Sequence, residues 1–445
     1  MTIYQPESMK SSNSRSALIG LLLVYALLST SLIGKSYLFA MYRSLWTIQM
    51  ILTVGLIAVL WLYLLFAFLS GRLSLGNSGV KLRLKLCLFF MMLFGIFSCC
   101  AQEDIWMNMA FLATHASSIM ILFILGPQLI ADKNRERFLN FVLVPLVIIA
   151  LLNISVFLGN SSNGRLHGLY GNAIIAGQML GITSILLFWK ILYHPRQKTK
   201  LLWLLFIVSM FGLIMTRTRT DIAGVFVGIT ACLLAAIWHA NMEMSRKRAK
   251  RLVLVFIPLS IVTLFWVIAA EFEFVAVREY LRLGVNVKET IQDRQIYWER
   301  GYERITIANF FGNGPLDKFG DDVSLSHSKY DADSNAHNAL FSVIQFYGWP
   351  GGFLFVLFLL LLLSVFLSKQ DCYSVLGISI LAFGLVQCIS ENWLLSFGTP
   401  CDLYSWFILG IACAGKGVSA RALHRMRLAT HSGFGHYGTR VLRQA

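Results

Sequence analysis

Charge is scarce in this sequence: Asp, Glu, Lys and Arg make up 13% of its 445 residues, roughly half the share that soluble domains carry. A water-covered globular surface is excluded on that ground, since hydrophobic residues fill 57% of the chain and mean hydropathy is +0.67. Cysteine patterning of the zinc-ligand kind is also missing, which argues against a thiolate metal site. Of the eight cysteines, Cys87, Cys99, Cys100, Cys232, Cys388 and Cys413 fall in or at the ends of apolar runs and read as small packing residues. There is no repeat of solenoid period, no low-complexity tract and no appended soluble domain. No small-residue cleavage site follows the first apolar run, so with its polar leader MTIYQPESMKSSNSRS it reads as a retained span, not a signal peptide.

What the chain does have is apolar runs of about 18 to 25 residues, long enough to cross a hydrocarbon core as helices. Barrel strands alternate apolar and polar residues, and these runs are continuous, so strands are excluded. The expected fold is all-α, a single integral membrane domain over residues 1–445 with about twelve transmembrane helices. The runs lie near 16–35, 45–70, 84–100, 108–131, 138–158, 173–193, 200–215, 221–240, 251–271, 337–368, 372–391 and 402–415.

The net charge of +16 invites a nucleic-acid reading, and its distribution removes it. Alternate linkers hold the excess: Arg72 to Lys85, Lys133 to Arg137, Arg196 to Lys200, RKRAKR at 246–251, Lys369 and the tail 416–445. By the positive-inside rule these linkers and both termini face the cytoplasm. The basic tail is suited to anionic membrane lipids, and no nucleic-acid partner is needed. The opposite linkers include GNSSNGRLHGLYGN at 159–172, MTRTRTDIAG at 215–224, a loop over 272–336 between spans nine and ten, and SENWLLSFGTPCD at 390–402. Arg217 and Arg219 therefore sit on the side that the rule normally keeps poor in basic residues.

The long loop carries VKETIQDRQIYWERGYERI, with Ile291, Trp298, Tyr302 and Ile305 at helical spacing and Arg294 on the same face. An arginine there either snorkels to water or meets a charged partner. Further on, Asp333, Ser334 and Asn335 are capping residues, so a helix is expected to start there with His337 in its first turn. Gly348, Pro350, Gly351 and Gly352 are expected to break that helix. A membrane-edge histidine is commonly an interfacial residue with a satisfied ring; this one opens the span behind the large outer loop. Arg165, Arg217, Arg219, Arg294 and His337 thus fall on one side. Guanidinium groups suit phosphate oxygens, and imidazole accepts a proton near neutral pH. A transporter of anionic lipids would instead place charges at mid-span in matching broken halves.

Four stretches, in order, resemble the O-antigen ligase and polymerase superfamily. They are RLHGLYGNAIIAGQ at 165–178, TRTRTDIAG, DRQIYWERG, and AHNALFSVIQFYGWPGG. With the span count and the loop, the resemblance covers about two thirds of the chain. It implies an inverting, metal-independent glycosyl transfer, without cofactor, from an undecaprenyl diphosphate-linked glycan at the periplasmic face. In an O-antigen ligase, the reading favoured here, the acceptor is a sugar hydroxyl of lipid A core; in a polymerase it is another repeat unit. The resemblance gives Arg219 and Arg294 the donor diphosphate and His337 the acceptor proton, with Arg217 and Arg165 supporting the anionic pocket. Thr218 stands where the family frequently has Ser, and the doubled Thr-Arg pair leaves open which arginine is the family's counterpart.

Overall fold

The computed structural model describes residues 80–102, 105–125, 135–159, 166–170, 172–193, 199–238, 243–271, 302, 305, 310–314, 338–369, 371–395 and 400–414. Every regular element among them is helical. In chain order these are α1 (Leu82–Cys100), α2 (Ile105–Ser118, continued by a stretch of π-helix, Ile119–Leu125), α3 (Arg135–Gly159), α4 (Ala173–Tyr193) and α5 (Thr199–Thr216). They are followed by α6 (Arg219–Trp238), α7 (Glu243–Glu271), α8 (Ala339–Ser368), α9 (Cys372–Ser390) and α10 (Pro400–Cys413). Six described helices are long and apolar enough to cross a membrane, and three apolar helices are shorter. The first two expected spans, most of the 272–336 loop and the tail 416–445 lie outside the described residues.

Helix α4 is the central element. Its window of apolar residues is 89% buried, as expected of a helix that is hydrophobic on all sides. It packs against α3, α5, α6, α9 and α10. Lipid tails are as apolar as leucine, so helices in a bilayer gain their association from close approach and interhelical hydrogen bonds. Both are present here. A Cβ on Gly181 would lie 2.9 Å from the Phe383 ring, and one on Gly228 would lie 3.0 Å from the Ser379 carbonyl. Close approach then brings hydroxyls within reach: Ser379 donates to the Gly228 carbonyl at 2.7 Å, and Ser184 donates to Ser209 at 2.9 Å.

One end of the bundle is tied by basic side chains. Arg135 reaches Asp371 at 4.0 Å and lies over the Tyr373 ring at 5.3 Å. Lys81 donates to Ser368 at 3.3 Å, and the Lys369 ammonium bonds the last carbonyls of α10, those of Ala412 and Cys413. A cation at a helix C-terminus meets the negative end of its dipole. Burial, the main influence on Lys369, pulls its ammonium pKa down.

Helix α8 breaks where its glycine and proline predict. Gly348 has φ 71° and ψ −177°, with Pro350 two residues on. The backbone groups released there are satisfied by a loop segment that reads in sequence as a simple turn. Trp349 N–H donates to Phe310 O at 3.2 Å and Asn313 N–H donates to Gln345 O at 2.7 Å. Gly314 N–H donates to Ser98 Oγ of α1 at 2.6 Å, so the segment also joins α1 to α8. A Cβ at Gly348 would lie 2.5 Å from the Phe311 carbonyl carbon, and its backbone region is open essentially to glycine alone. Gly348→Ala is therefore expected to destabilise the folded protein by about 2–3 kcal/mol. Thermal unfolding in detergent measures this, and an unchanged midpoint contradicts it.

Candidate active site

The opposite end of the bundle gathers the polar linkers. Leu166 N–H donates to Met215 O at 2.9 Å, which joins the loop before α4 to the reversal between α5 and α6. Asn338 Nδ2 donates to Ile389 O at 3.3 Å, and Ser342 Oγ donates to Asn392 Oδ1 at 2.6 Å, so the start of α8 is held against the end of α9. Leu394 N–H donates to Asp402 Oδ1 at 2.8 Å, and Trp406 Nε1 donates to Leu394 O at 3.3 Å. These bonds bring residues 166–170, 216–221, 338–342, 389–395 and 400–402 to one end. Helices of about twenty residues set that end some 30 Å from the basic one.

Arg217 and Arg219 are the expected site residues that the structure describes. Arg217 is exposed and has φ 54°. Arg219 is half-buried and opens α6. Arg165, Arg294 and His337 lie outside the described residues, although their neighbours Leu166 and Asn338 belong to the same end. Of the apolar stripe expected in the long loop, Ile305 is buried and Tyr302 is exposed.

The start of α8 corrects the expected cap. The helix begins at Ala339, and Asn338 caps it, its Oδ1 accepting from Leu340 N–H at 3.0 Å and Phe341 N–H at 3.2 Å. His337 therefore precedes the cap instead of lying in the first turn. Two amides of the first turn bond one carboxamide oxygen, and this fixes the start of the helix at Ala339.

Several buried polar groups surround this arrangement. Asp221, in the first turn of α6, is 1% exposed, and a Cβ on Gly177 of α4 would lie 2.4 Å or less from both its carboxylate and the Thr218 hydroxyl. Gln178 Nε2 donates across the core to Gln387 Oε1 at 3.5 Å. Asp402 at the start of α10, Asp221 at the start of α6 and Glu391, which follows α9, all act electrostatically on the Cys401 thiol. Tyr170, in a turn of 3₁₀ helix, is buried, and burial, with Tyr404 and Cys401 beside it, pushes its phenol well above the ordinary range. It stays a proton donor throughout the neutral pH range. Among the described residues no group of three His, Cys, Asp or Glu side chains is placed to hold a metal ion.

The sequence carried a signal for some of these groups. Gln178 and Gln387 interrupt otherwise apolar runs, and Asp221 lies inside the Thr-Arg stretch. Glu391 and Asp402 carried none, because nothing in the linker between them marks either carboxylate as facing the other.

Fold and site together define a polytopic helical membrane protein whose arginines and carboxylates converge at one end. Residues 204–356 match the family model described as O-antigen ligase, which supports the likeness of that segment to the O-antigen ligase and polymerase superfamily. The matched segment includes Arg217, Arg219, Arg294 and His337, but not Arg165. No curated protein matches the chain.

Asn338→Ala removes the acceptor for two amides and is expected to cost about 1 kcal/mol, whereas Asn338→Asp retains it. Comparison of the two unfolding midpoints in detergent checks this, and equal midpoints contradict the capping role.

Proposed function

We propose that this chain is a glycosyltransferase that moves O-antigen glycan from undecaprenyl diphosphate to a sugar hydroxyl of lipid A core. The observation that carries the reading is the Thr-Arg-Thr-Arg reversal. It places two permanent cations at the polar end of a membrane bundle, inside the segment matched to O-antigen ligases. Lipid diphosphate is the anion available at such a boundary, and arginine's planar fork matches its oxygens. In this reading the polar end faces the periplasm and the basic end, with both termini, faces the cytoplasm of the inner membrane.

Arg219 and Arg294 hold the donor diphosphate, supported by Arg217 and Arg165, and their charge is present before the bond breaks. His337 takes the proton from the acceptor hydroxyl. That oxygen then bonds the anomeric carbon as the bond from this carbon to the diphosphate oxygen breaks. A single displacement inverts the anomeric centre and leaves undecaprenyl diphosphate. The fixed guanidinium groups supply the charge stabilisation that a metal ion provides in many nucleotide-sugar transferases, so the reaction needs neither metal nor cofactor. The asymmetry of the two bundle ends, one tied by cations to helix C-termini and one carrying arginines beside carboxylates, favours a one-sided enzyme over a transporter.

Deleting the gene is expected to leave bare lipid A core on a lipopolysaccharide gel while lipid-linked polymer accumulates. Core capped by a single repeat unit would assign the chain to the polymerases, and unchanged lipopolysaccharide would contradict both readings. His337→Ala is expected to abolish transfer with the protein still inserted in the membrane; retained transfer removes the histidine from the mechanism.

A further inference from the structure

The reversal between α5 and α6 is built in an unusual way. Thr216, the last residue of α5, is fully buried, and its hydroxyl lies 2.6 Å from Leu213 O and 2.6 Å from Thr218 Oγ1. A hydroxyl has one proton and a carbonyl can only accept. Thr216 therefore donates to Leu213 O, and Thr218 donates to Thr216. The Thr218 amide lies 3.3 Å from the same Thr216 oxygen and adds a weaker pull in the same direction. Thr218 O then accepts from Ile222 N–H at 3.1 Å, which starts α6.

The backbone between the two threonines is a single residue, Arg217, and it is held at φ 54°. That region costs a residue with a side chain about 1–2 kcal/mol, and glycine or asparagine adopts it more readily. Non-glycine residues kept there concentrate at functional sites, where the surroundings enforce them. The surroundings enforce this one from three sides. Leu166 holds the Met215 carbonyl, the threonine pair closes the turn, and Gly177 leaves the space that Thr218 and Asp221 occupy.

We propose that Thr216 and Thr218 are positioning residues: their hydroxyl pair locks Arg217 in the left-handed conformation and thereby sets the separation of the Arg217 and Arg219 guanidinium groups before an anion arrives. The inference rests on the reading that these arginines bind the donor diphosphate. It also answers why an arginine occupies a glycine-like position. Reversing the chain there requires only glycine, whereas presenting two cations two residues apart requires arginine and a brace to hold it. Preorganisation of this kind raises affinity by removing the ordering cost from the binding step.

The test uses the full-length protein in lipid nanodiscs, with inorganic diphosphate as the probe. Thr218→Val is close in shape and lacks the donor; Thr218→Ser keeps it. Thr218→Val is expected to weaken diphosphate binding at least about fivefold per folded molecule, the equivalent of one lost hydrogen bond. Thr218→Ser is expected to bind as the unmodified protein does. A threonine that only supports folding would change the amount of folded protein and leave this affinity alone. If Thr218→Val does not accumulate, Thr218→Ala, smaller where Gly177 makes room, carries the same expectation. Unmodified protein that neither binds diphosphate nor is inhibited by it overturns the functional reading and the inference with it. Diphosphate binding that is unchanged by the loss of the Thr218 hydroxyl, or not restored by serine, overturns the inference alone.

Discussion

In a hydrocarbon surrounding, a backbone group that leaves its helix must find a partner elsewhere in the protein, and the described structure is arranged around that requirement. At Gly348 the partner is the 310–314 segment, whose Phe310 carbonyl and Asn313 amide take up what the break in α8 releases. At the start of α8 it is the Asn338 carboxamide, and at the end of α5 it is the Thr216 hydroxyl together with Leu166. At each of these places the freed backbone group meets a partner held by the rest of the described structure. Those places lie at or near one end, so satisfying the backbone and assembling the site are the same construction.

Charge follows a similar rule. Lys369 and Arg135 are spent on helix C-termini, an aspartate and an aromatic ring at the basic end. At the polar end Arg217 is exposed and Arg219 half-buried, with Asp221, Glu391 and Asp402 drawn towards the same region. The α4 helix passes between the two ends as a buried, largely apolar column with a few hydrogen-bonded polar side chains, and its glycines set how closely α6 and α9 approach. The Thr218 brace depends on this packing, because only a glycine at 177 leaves it room.

The helices were legible in the sequence because each is an apolar run closed by polar or basic residues. Expected runs such as 173–193 and 372–391 coincide with described helices to within a residue or so. The break at Gly348 was legible for the same reason, since glycine and proline punctuate any helix. What fills that break was not, because FGNGP carries the local chemistry of a turn and nothing in it names a partner. The cap of α8 was misplaced by several residues: Asp333, Ser334 and Asn335 are all capping types, and only geometry shows that Asn338 performs the role. Of the site, the Thr-Arg stretch announced itself as a basic pair in the set of linkers that is otherwise poor in Lys and Arg. Its left-handed turn and hydroxyl pair did not, since Thr-Arg-Thr-Arg has neither glycine nor asparagine to signal positive φ.

The most direct measurement is transfer by the purified protein in liposomes that contain an undecaprenyl diphosphate-linked glycan and lipid A core. The account predicts glycan on lipid A core, with one undecaprenyl diphosphate released for each chain transferred. Glycan that stays on its lipid carrier in the presence of correctly inserted protein would contradict it.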